Sequence, residues 1–225
     1  MSGLDSNIPD NYEFVSRGGQ KLEKALDFFG ISPEGMVCID CGASTGGFTD
    51  CLLIKGAKLV YAIDVGYGQL AWSLRTDKRV ITMERTNIRY VTPDMLESKP
   101  EFAVIDVSFI SLALVLPVIR GLLTDTGEVV SLIKPQFEAG RGKVGKKGVV
   151  RDPGTHKEVL DTFMENAVKS GFSVKGLTYS PVKGPKGNIE YLGWLGTADK
   201  NNGYKGNMEI DTKKLVAESH KELTG

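Results

Sequence analysis

Four apolar runs along this chain each close on a charged residue, and that repetition constrains the fold more than any other feature. "MVCID" ends on Asp40, "KLVYAIDVG" reaches Asp64, "EFAVIDVSF" reaches Asp106 and "EVVSLIKP" reaches Lys134. Another run, "RVITMERTN", lies between the second and the third. Short apolar runs separated by stretches with helical spacing predict a parallel sheet with helices on both faces. Their charged ends then fall together at the carboxyl edge, where open α/β sheets hold ligands. Two later runs, "SVKGLTYSP" and "IEYLGWLG", are close enough in sequence to pair antiparallel at one edge. The expected architecture is α/β, Rossmann-like, with seven strands, mostly parallel.

The helices are legible in part. "SRGGQKLEKALDFFG" places Leu22, Ala25, Leu26 and Phe29 at helical spacing, with Gly30 suited to end the helix. "DPGTHKEVLDTFMENAVKSGF" offers Asp152 or Thr155 as N-cap and Gly171 at its end. Residues 1–12 read as a disordered lead-in or a terminal edge, 13–197 as one domain, and 198–225 as a polar tail with one predicted helix, "DTKKLVAESHKEL".

Lys+Arg and Asp+Glu both number 28, so formal charge is zero, which counts against a surface basic all over. Any nucleic-acid footprint is then local. Cys38, Cys41 and Cys51 are an odd, clustered set that points to a reducing, cytoplasmic setting rather than a disulfide framework. Cys38 and Cys41 form a C-x-x-C, but no second pair or nearby His completes a metal set, so no metal is expected. The apolar run from Phe109 to Ile119 is broken by Ser111 and Pro117 and is too short to span a bilayer. His156 and His220 sit in charged, helical surroundings and read as surface residues, while Trp72 and Trp194 read as packing residues.

"IDCGASTGGFTD" sits after a strand and before a helix, where glycines allow a tight turn and close approach to a ligand. It is neither a pyrophosphate-cradling G-x-G-x-x-G nor a P-loop, since no Lys follows Gly47. The turn suits a ligand without phosphates, such as S-adenosylmethionine. The candidate cofactor residues are Asp40, Gly42, Ala43, Ser44, Thr45, Gly46, Gly47 and Phe48, with Asp64 for ribose hydroxyls, Asn87 beside an adenine, and Asp106. Ordinary turn glycines and a strand-end carboxylate are the plainer alternative.

Lys21, Asp106, Lys134 and Glu190 are brought together by the same strand reading. Two acids and two amines form a neutral set that tolerates partial burial. Deprotonating a sugar hydroxyl is the chemistry that needs such a set, with desolvation or a second amine making one lysine basic. Taken singly, each of the four also reads as half of a surface salt bridge.

"FVSRGGQKL", "DCGASTGGFTD", "DVSFISL", "IKPQFE" and "PVKGPKGNIEYL", in that order, make the stretch from Phe14 to Gly196 resemble the TlyA or haemolysin A family, with an FtsJ-type catalytic domain. The resemblance implies an S-adenosylmethionine-dependent 2′-O-methyltransferase acting on ribosomal RNA, with Lys21, Asp106, Lys134 and Glu190 as its catalytic tetrad. Lys134 is then the base, or the amine that stabilises the developing alkoxide. Such proteins normally begin with a small S4-type RNA-binding domain, which nothing before Tyr12 encodes. The loop "GRGKVGKKGVVRD" supplies Arg141, Lys143, Lys146, Lys147 and Arg151 as candidate RNA contacts, joined by Arg17. A solvated, flexible loop is the alternative there. Phe48 and Phe137 read either as ligand contacts or as core. Rival functions are a membrane-active protein, as the haemolysin label suggests, and an inactive RNA-binding or ribosome-assembly factor.

Overall fold

Seven strands form one sheet: β1 (Val37–Cys41), β2 (Leu59–Ile63), β3 (Val80–Met83), β4 (Phe102–Ile105), β5 (Glu128–Ile133), β6 (Phe172–Tyr179) and β7 (Tyr191–Thr197). The computed structural model describes residues 14–197 and 210–224, so the predicted lead-in and residues 198–209 of the tail lie outside the described residues. The strand order is β3-β2-β1-β4-β5-β7-β6. All neighbours from β3 to β5 are parallel, while β7 runs antiparallel to both β5 and β6. The expected antiparallel pair therefore lies at one edge, with the reversed strand on its inner side. After β3 the chain returns to place β4 beside β1, which creates a switch point at the carboxyl ends of those two strands.

The helices are α1 (Gly18–Phe29), α2 (Gly47–Ile54), α3 (Trp72–Arg75), α4 (Leu112–Leu122), α5 (Pro135–Glu138), α6 (Pro153–Lys169) and α7 (Thr212–Thr224). Every residue of β1 and β4 is buried, as strands covered on both faces require. Ile39, Cys41 and Ile105 pack on one face with Leu116 and Ile119 of α4 and Phe163 of α6. Cys38, Phe102 and Val104 pack on the other with Leu22 and Leu26 of α1 and Leu52 of α2. Asp152 is the cap of α6: its Oδ2 accepts the Thr155 N–H at 2.8 Å, and Pro153 fills the first helical position. Gly30 ends α1 in the left-handed region at φ 67°.

Two sequence expectations change, for the histidines and for Trp72, and the expected tail helix is found. His156 is fully buried rather than on the surface. Its Nε2 lies 3.1 Å from the Val150 carbonyl, which can only accept, so Nε2–H is the donor. Nδ1 then accepts from the Tyr191 hydroxyl at 2.9 Å or the His220 Nε2 at 3.0 Å, and His220 itself is partly buried. Desolvation pushes the His156 imidazole down to about 4, so it stays neutral in this buried, hydrogen-bonded seam. The charged neighbours that suggested exposure, Lys157 and Glu158, occupy the outer face of the same helix. Trp72 is 75% exposed rather than packed in the core, although Trp194 does pack, with its ring 5.6 Å from Phe29. The tail helix α7 is docked, with Val216 buried and Thr212 Oγ1 donating to Asp161 Oδ1 at 2.8 Å.

Two glycines in the outer strands make room for aromatic rings. A Cβ at Gly193 would stand 2.6 Å from the Phe163 ring, and one at Gly176 would stand 2.7 Å from the Phe29 ring. Gly193→Ala is expected to cost about 1–3 kcal/mol by overpacking, read as a lowered denaturation midpoint without a change in far-UV circular dichroism.

Candidate active site

Two glycine pairs decide where the first helix begins. A Cβ at Gly47 would lie 2.2 Å from Ser16 Oγ and 3.0 Å from the Gly19 amide, and one at Gly19 would lie 2.2 Å from the Phe14 ring. Only glycine lets the start of α1 pass this closely over the start of α2. The Val15 N–H donates to Asp50 Oδ2 of α2 at 2.8 Å and ties the entering segment down. Lys21, one turn into α1, is thereby carried to the carboxyl edge of the sheet.

The turn after β1 is held from both sides. Gly42 and Ala43 donate backbone N–H groups to the Ile63 carbonyl at 2.8 and 3.1 Å. Gly42 adopts φ 88°, and a Cβ there would stand 2.5 Å from the Asp106 carbonyl oxygen. Asp64, just past β2, accepts the Ser44 N–H on Oδ2 at 2.8 Å and the Gly66 N–H on Oδ1 at 2.6 Å. Asp64 is therefore both a wall of the site and a clasp on the turn.

Three cavities open along this edge. The first, about 680 Å³, is lined by Gly42, Ser44, Asp64, Asn87, Ile88 and Asp106 among others. The second, about 290 Å³, lies against Arg17, Lys21, Gly42, Thr45, Gly47 and Asp106. The third, about 970 Å³, is lined by Lys21, Asp106, Lys134, Gln136, Phe137 and Glu190 among others. Asp106 belongs to all three.

The four ionisable residues singled out from the sequence converge in the largest cavity. Lys21 Nζ donates to Glu190 Oε2 at 2.7 Å, with Lys21 only 7% and Glu190 1% exposed. Lys134 Nζ lies 2.5 Å from Asp106 Oδ1 and donates to Ser108 Oγ at 3.0 Å. The Lys134–Asp106 contact is an ion pair off the line of a hydrogen bond, so the buried Oδ1 takes none. The reversal of β7 explains the convergence. Tyr191 pairs with Ile133, so Glu190 and Lys134 arrive at one edge from opposite chain directions.

The remaining expected residues divide. Gly42, Ala43, Ser44, Thr45, Gly47 and Phe48 line the two smaller cavities, and Asp64 and Asn87 line the first. Gly46 lies behind the turn, where a Cβ would strike the Leu74 and Leu70 side chains. Asp40 departs from its expected place on the ligand wall. It is fully buried beneath the turn, where Oδ2 accepts the Thr49 hydroxyl at 2.6 Å and Oδ1 has no partner. Of the basic residues, Lys146 lines the largest cavity and Arg17 the smallest. Lys143 pairs with Glu158 instead, while Lys147 and Arg151 are exposed without lining any of the three. The Arg141 side chain lies outside the described residues. Cys38, Cys41 and Cys51 are buried free thiols.

Two participants carried no sequence signal of their own. Gln136 Nε2 donates to Glu190 Oε1 at 3.2 Å, so both oxygens of that carboxylate are engaged, and Ser108 supports the Lys134 amine. Both stand two residues from a tetrad member, in "DVS" and "KPQ", and that adjacency is the cue that could have found them.

Sheet order, switch-point turn and cavities define an α/β methyltransferase architecture. A candidate S-adenosylmethionine-dependent methyltransferase from Listeria monocytogenes shares the fold at a TM-score of 0.61 and 14% identity, over 81% of this chain and 99% of that one. The model of the FtsJ-like methyltransferase family matches residues 14–197, and the chain belongs to that family, as an enzyme of the methyltransferase class. It is 50% identical over 184 residues to the 16S/23S rRNA (cytidine-2′-O)-methyltransferase TlyA of Mycobacterium tuberculosis, covering 82% of this chain and 69% of that protein. A candidate rRNA methyltransferase of Bacillus subtilis is 53% identical, covering 98% of this chain and 80% of its own length. The structure of a candidate hemolysin from Streptococcus thermophilus superposes at a TM-score of 0.91 with 52% identity, over 96% of this chain and 78% of that one. Among the described residues no helix is long and apolar enough to cross a membrane.

Burial pushes the Asp40 carboxyl up to about 7 from an ordinary 3.8; the Thr49 hydrogen bond opposes this, and the charges of Asp106 and Asp64 add to it. The folded protein therefore holds this proton more tightly than the unfolded chain does. The associated stability is present below pH 3.8 and is lost as pH rises through about 7, with a slope approaching about 1.4 kcal/mol per pH unit. Asp40→Asn keeps an acceptor for Thr49 and has no proton to lose. Urea denaturation from acid to neutral pH is expected to show this loss in the native protein and not in the variant.

Proposed function

We propose that this protein transfers the methyl group of S-adenosylmethionine to a ribose 2′-hydroxyl of ribosomal RNA. The observation that carries the reading is the position of Asp106, which borders all three cavities and is ion-paired to Lys134.

The donor set of the two smaller cavities fits this cofactor. Their carboxylates, Asp64 and Asp106, favour a cationic nucleoside and oppose a pyrophosphate. Asp64 and Asn87 would hold the adenosine half, while the Gly42–Gly47 turn and Arg17 would hold the amino-acid half. When bound, the cofactor supplies an electrophilic methyl group on a sulfonium.

The chain's own residues do the rest. Lys134 faces the largest cavity, where its ammonium donates a hydrogen bond to the developing alkoxide or, after losing a proton to solvent, the neutral amine takes the proton of the sugar hydroxyl. Asp106 and Ser108 hold that amine in place. Glu190 fixes Lys21, and Gln136 fixes Glu190 in turn. Phe137, its ring 4.8 Å from that of Phe109, offers an apolar face to a nucleobase. Positioning supplies most of the acceleration in an in-line displacement.

The 50% identity to a protein named as a cytidine-2′-O-methyltransferase supports ribosomal RNA as substrate. Mapping 2′-O-methyl groups on ribosomal RNA from cells with and without the protein tests it, and an unchanged map refutes it. In a tritium-transfer assay Lys134→Ala is expected to lower the rate by ~10²–10⁴-fold. Calorimetric binding of S-adenosylmethionine should persist in that variant. A full transfer rate in Lys134→Ala would remove the amine from the mechanism.

A further inference from the structure

The largest cavity carries more positive charge than its two ion pairs use. Its ionisable lining is Lys21, Lys134, Lys146 and Lys186 against Asp106 and Glu190. Lys21 is matched by Glu190 and Lys134 by Asp106. Lys146 and Lys186 have no ion-pair partner among the described residues, so the lining has an excess of two positive charges, located on one wall.

That wall is built by two stitched loops. Asn188, 2% exposed, accepts the Val150 N–H on Oδ1 at 2.9 Å and donates from Nδ2 to the Gly148 carbonyl at 2.9 Å. Its own carbonyl accepts the Gly184 N–H at 2.9 Å, and Gly187 N–H closes on the Gly184 carbonyl at 2.8 Å. On the facing side the Gly148 N–H bonds the Gly145 carbonyl at 2.8 Å. One buried amide therefore holds the turn bearing Lys186 against the loop bearing Lys146. Lys186 leans over that loop, with Nζ 3.6 Å from where a Gly148 Cβ would stand.

We infer that Lys146 and Lys186 form a phosphate subsite that takes the phosphodiester on the 3′ side of the target ribose. This rests on the 2′-hydroxyl reading above and deepens it. In a polynucleotide the 2′-oxygen and the 3′-phosphate stand on adjacent ring carbons. A hydroxyl presented to Lys134 therefore carries a phosphate anion into the same cavity, and the unmatched lysines are the charges there to meet it. The consequence is a requirement for a nucleotide that carries a 3′ phosphodiester: a free nucleoside leaves this wall unpaired.

Two measurements test the subsite. Binding of a fluorescein-labelled hexacytidylate RNA to the full chain is followed by anisotropy across a potassium chloride series. In the double variant Lys146→Ala/Lys186→Ala, the slope of log K against log salt should fall in magnitude by about 0.7, the amount for the one single-strand phosphate that the two lysines neutralise together. Lys169→Ala, an exposed residue of α6 paired with Glu165, should leave the slope unchanged. An unaltered slope in the double variant overturns the proposal. The second measurement is methyl transfer to an oligoribonucleotide spanning the mapped nucleotide, with one neutral methylphosphonate placed 3′ or 5′ of the target. The 3′ replacement should lower the native kcat/KM by about 10- to 100-fold and leave the double variant indifferent. Equal losses in both proteins, or a loss only with the 5′ replacement, overturn it. If the native protein methylates no unsubstituted RNA, the ribose reading itself fails, and the salt slope alone decides the subsite.

Discussion

The ion pair between Lys21 and Glu190 joins the first helix to the last strand across 169 residues, and it is nearly sealed from solvent. Burying two charges is costly and is repaid only where geometry is good and the remaining lone pairs are occupied. Here the distance is 2.7 Å and the second oxygen of Glu190 is held by Gln136. Removing one partner would leave an uncompensated buried charge, at a cost of about 3–5 kcal/mol. The pair is therefore a structural tie as well as part of the site.

A second constraint is the crowding of backbone around the turn after β1. Gly47 and Gly19 admit α1, and Gly42 admits the Asp106 carbonyl. These approaches bring residues from β4 and α1 against the same turn, which is why one carboxylate can border three cavities. Asp40 lies directly underneath, its raised affinity for a proton reflecting how thoroughly water is excluded there. The site is thus a polar surface laid over a dry, close-packed base. Partly buried Asp64 and Asp106 border the cavities, while fully buried Asp40 serves the packing through Thr49.

The periodic apolar runs made the sheet legible, because a strand buried on both faces has few alternatives to a continuous apolar segment. The turn "DCGASTGG" and the strand-end residues Asp64, Asp106 and Lys134 were legible for the same reason: a parallel sheet puts all its carboxyl ends on one edge. Asp40 misled because strand ends look alike in sequence, and whether a carboxylate at that point faces ligand or helix depends on the side of the sheet it occupies. His156 misled because its neighbours Lys157 and Glu158 are charged, yet they lie on another face of α6. Basic character in "GRGKVGKKGVVRD" did not reveal that Lys143 would be spent on Glu158 while Lys146 reached the cavity.

By itself the sequence determined the layered α/β class, the absence of a phosphate cradle, and four ionisable residues suited to a hydroxyl acceptor, since pattern and residue chemistry are local properties. Tertiary structure alone decided how those four meet, as two ion pairs in one cavity. It did so through the reversal of β7, which delivers Glu190 to the edge that holds Lys134, and through glycine contacts that let α1 bring in Lys21. Both depend on the direction and spacing of segments remote in the chain, and neither property is written in the residues at either end.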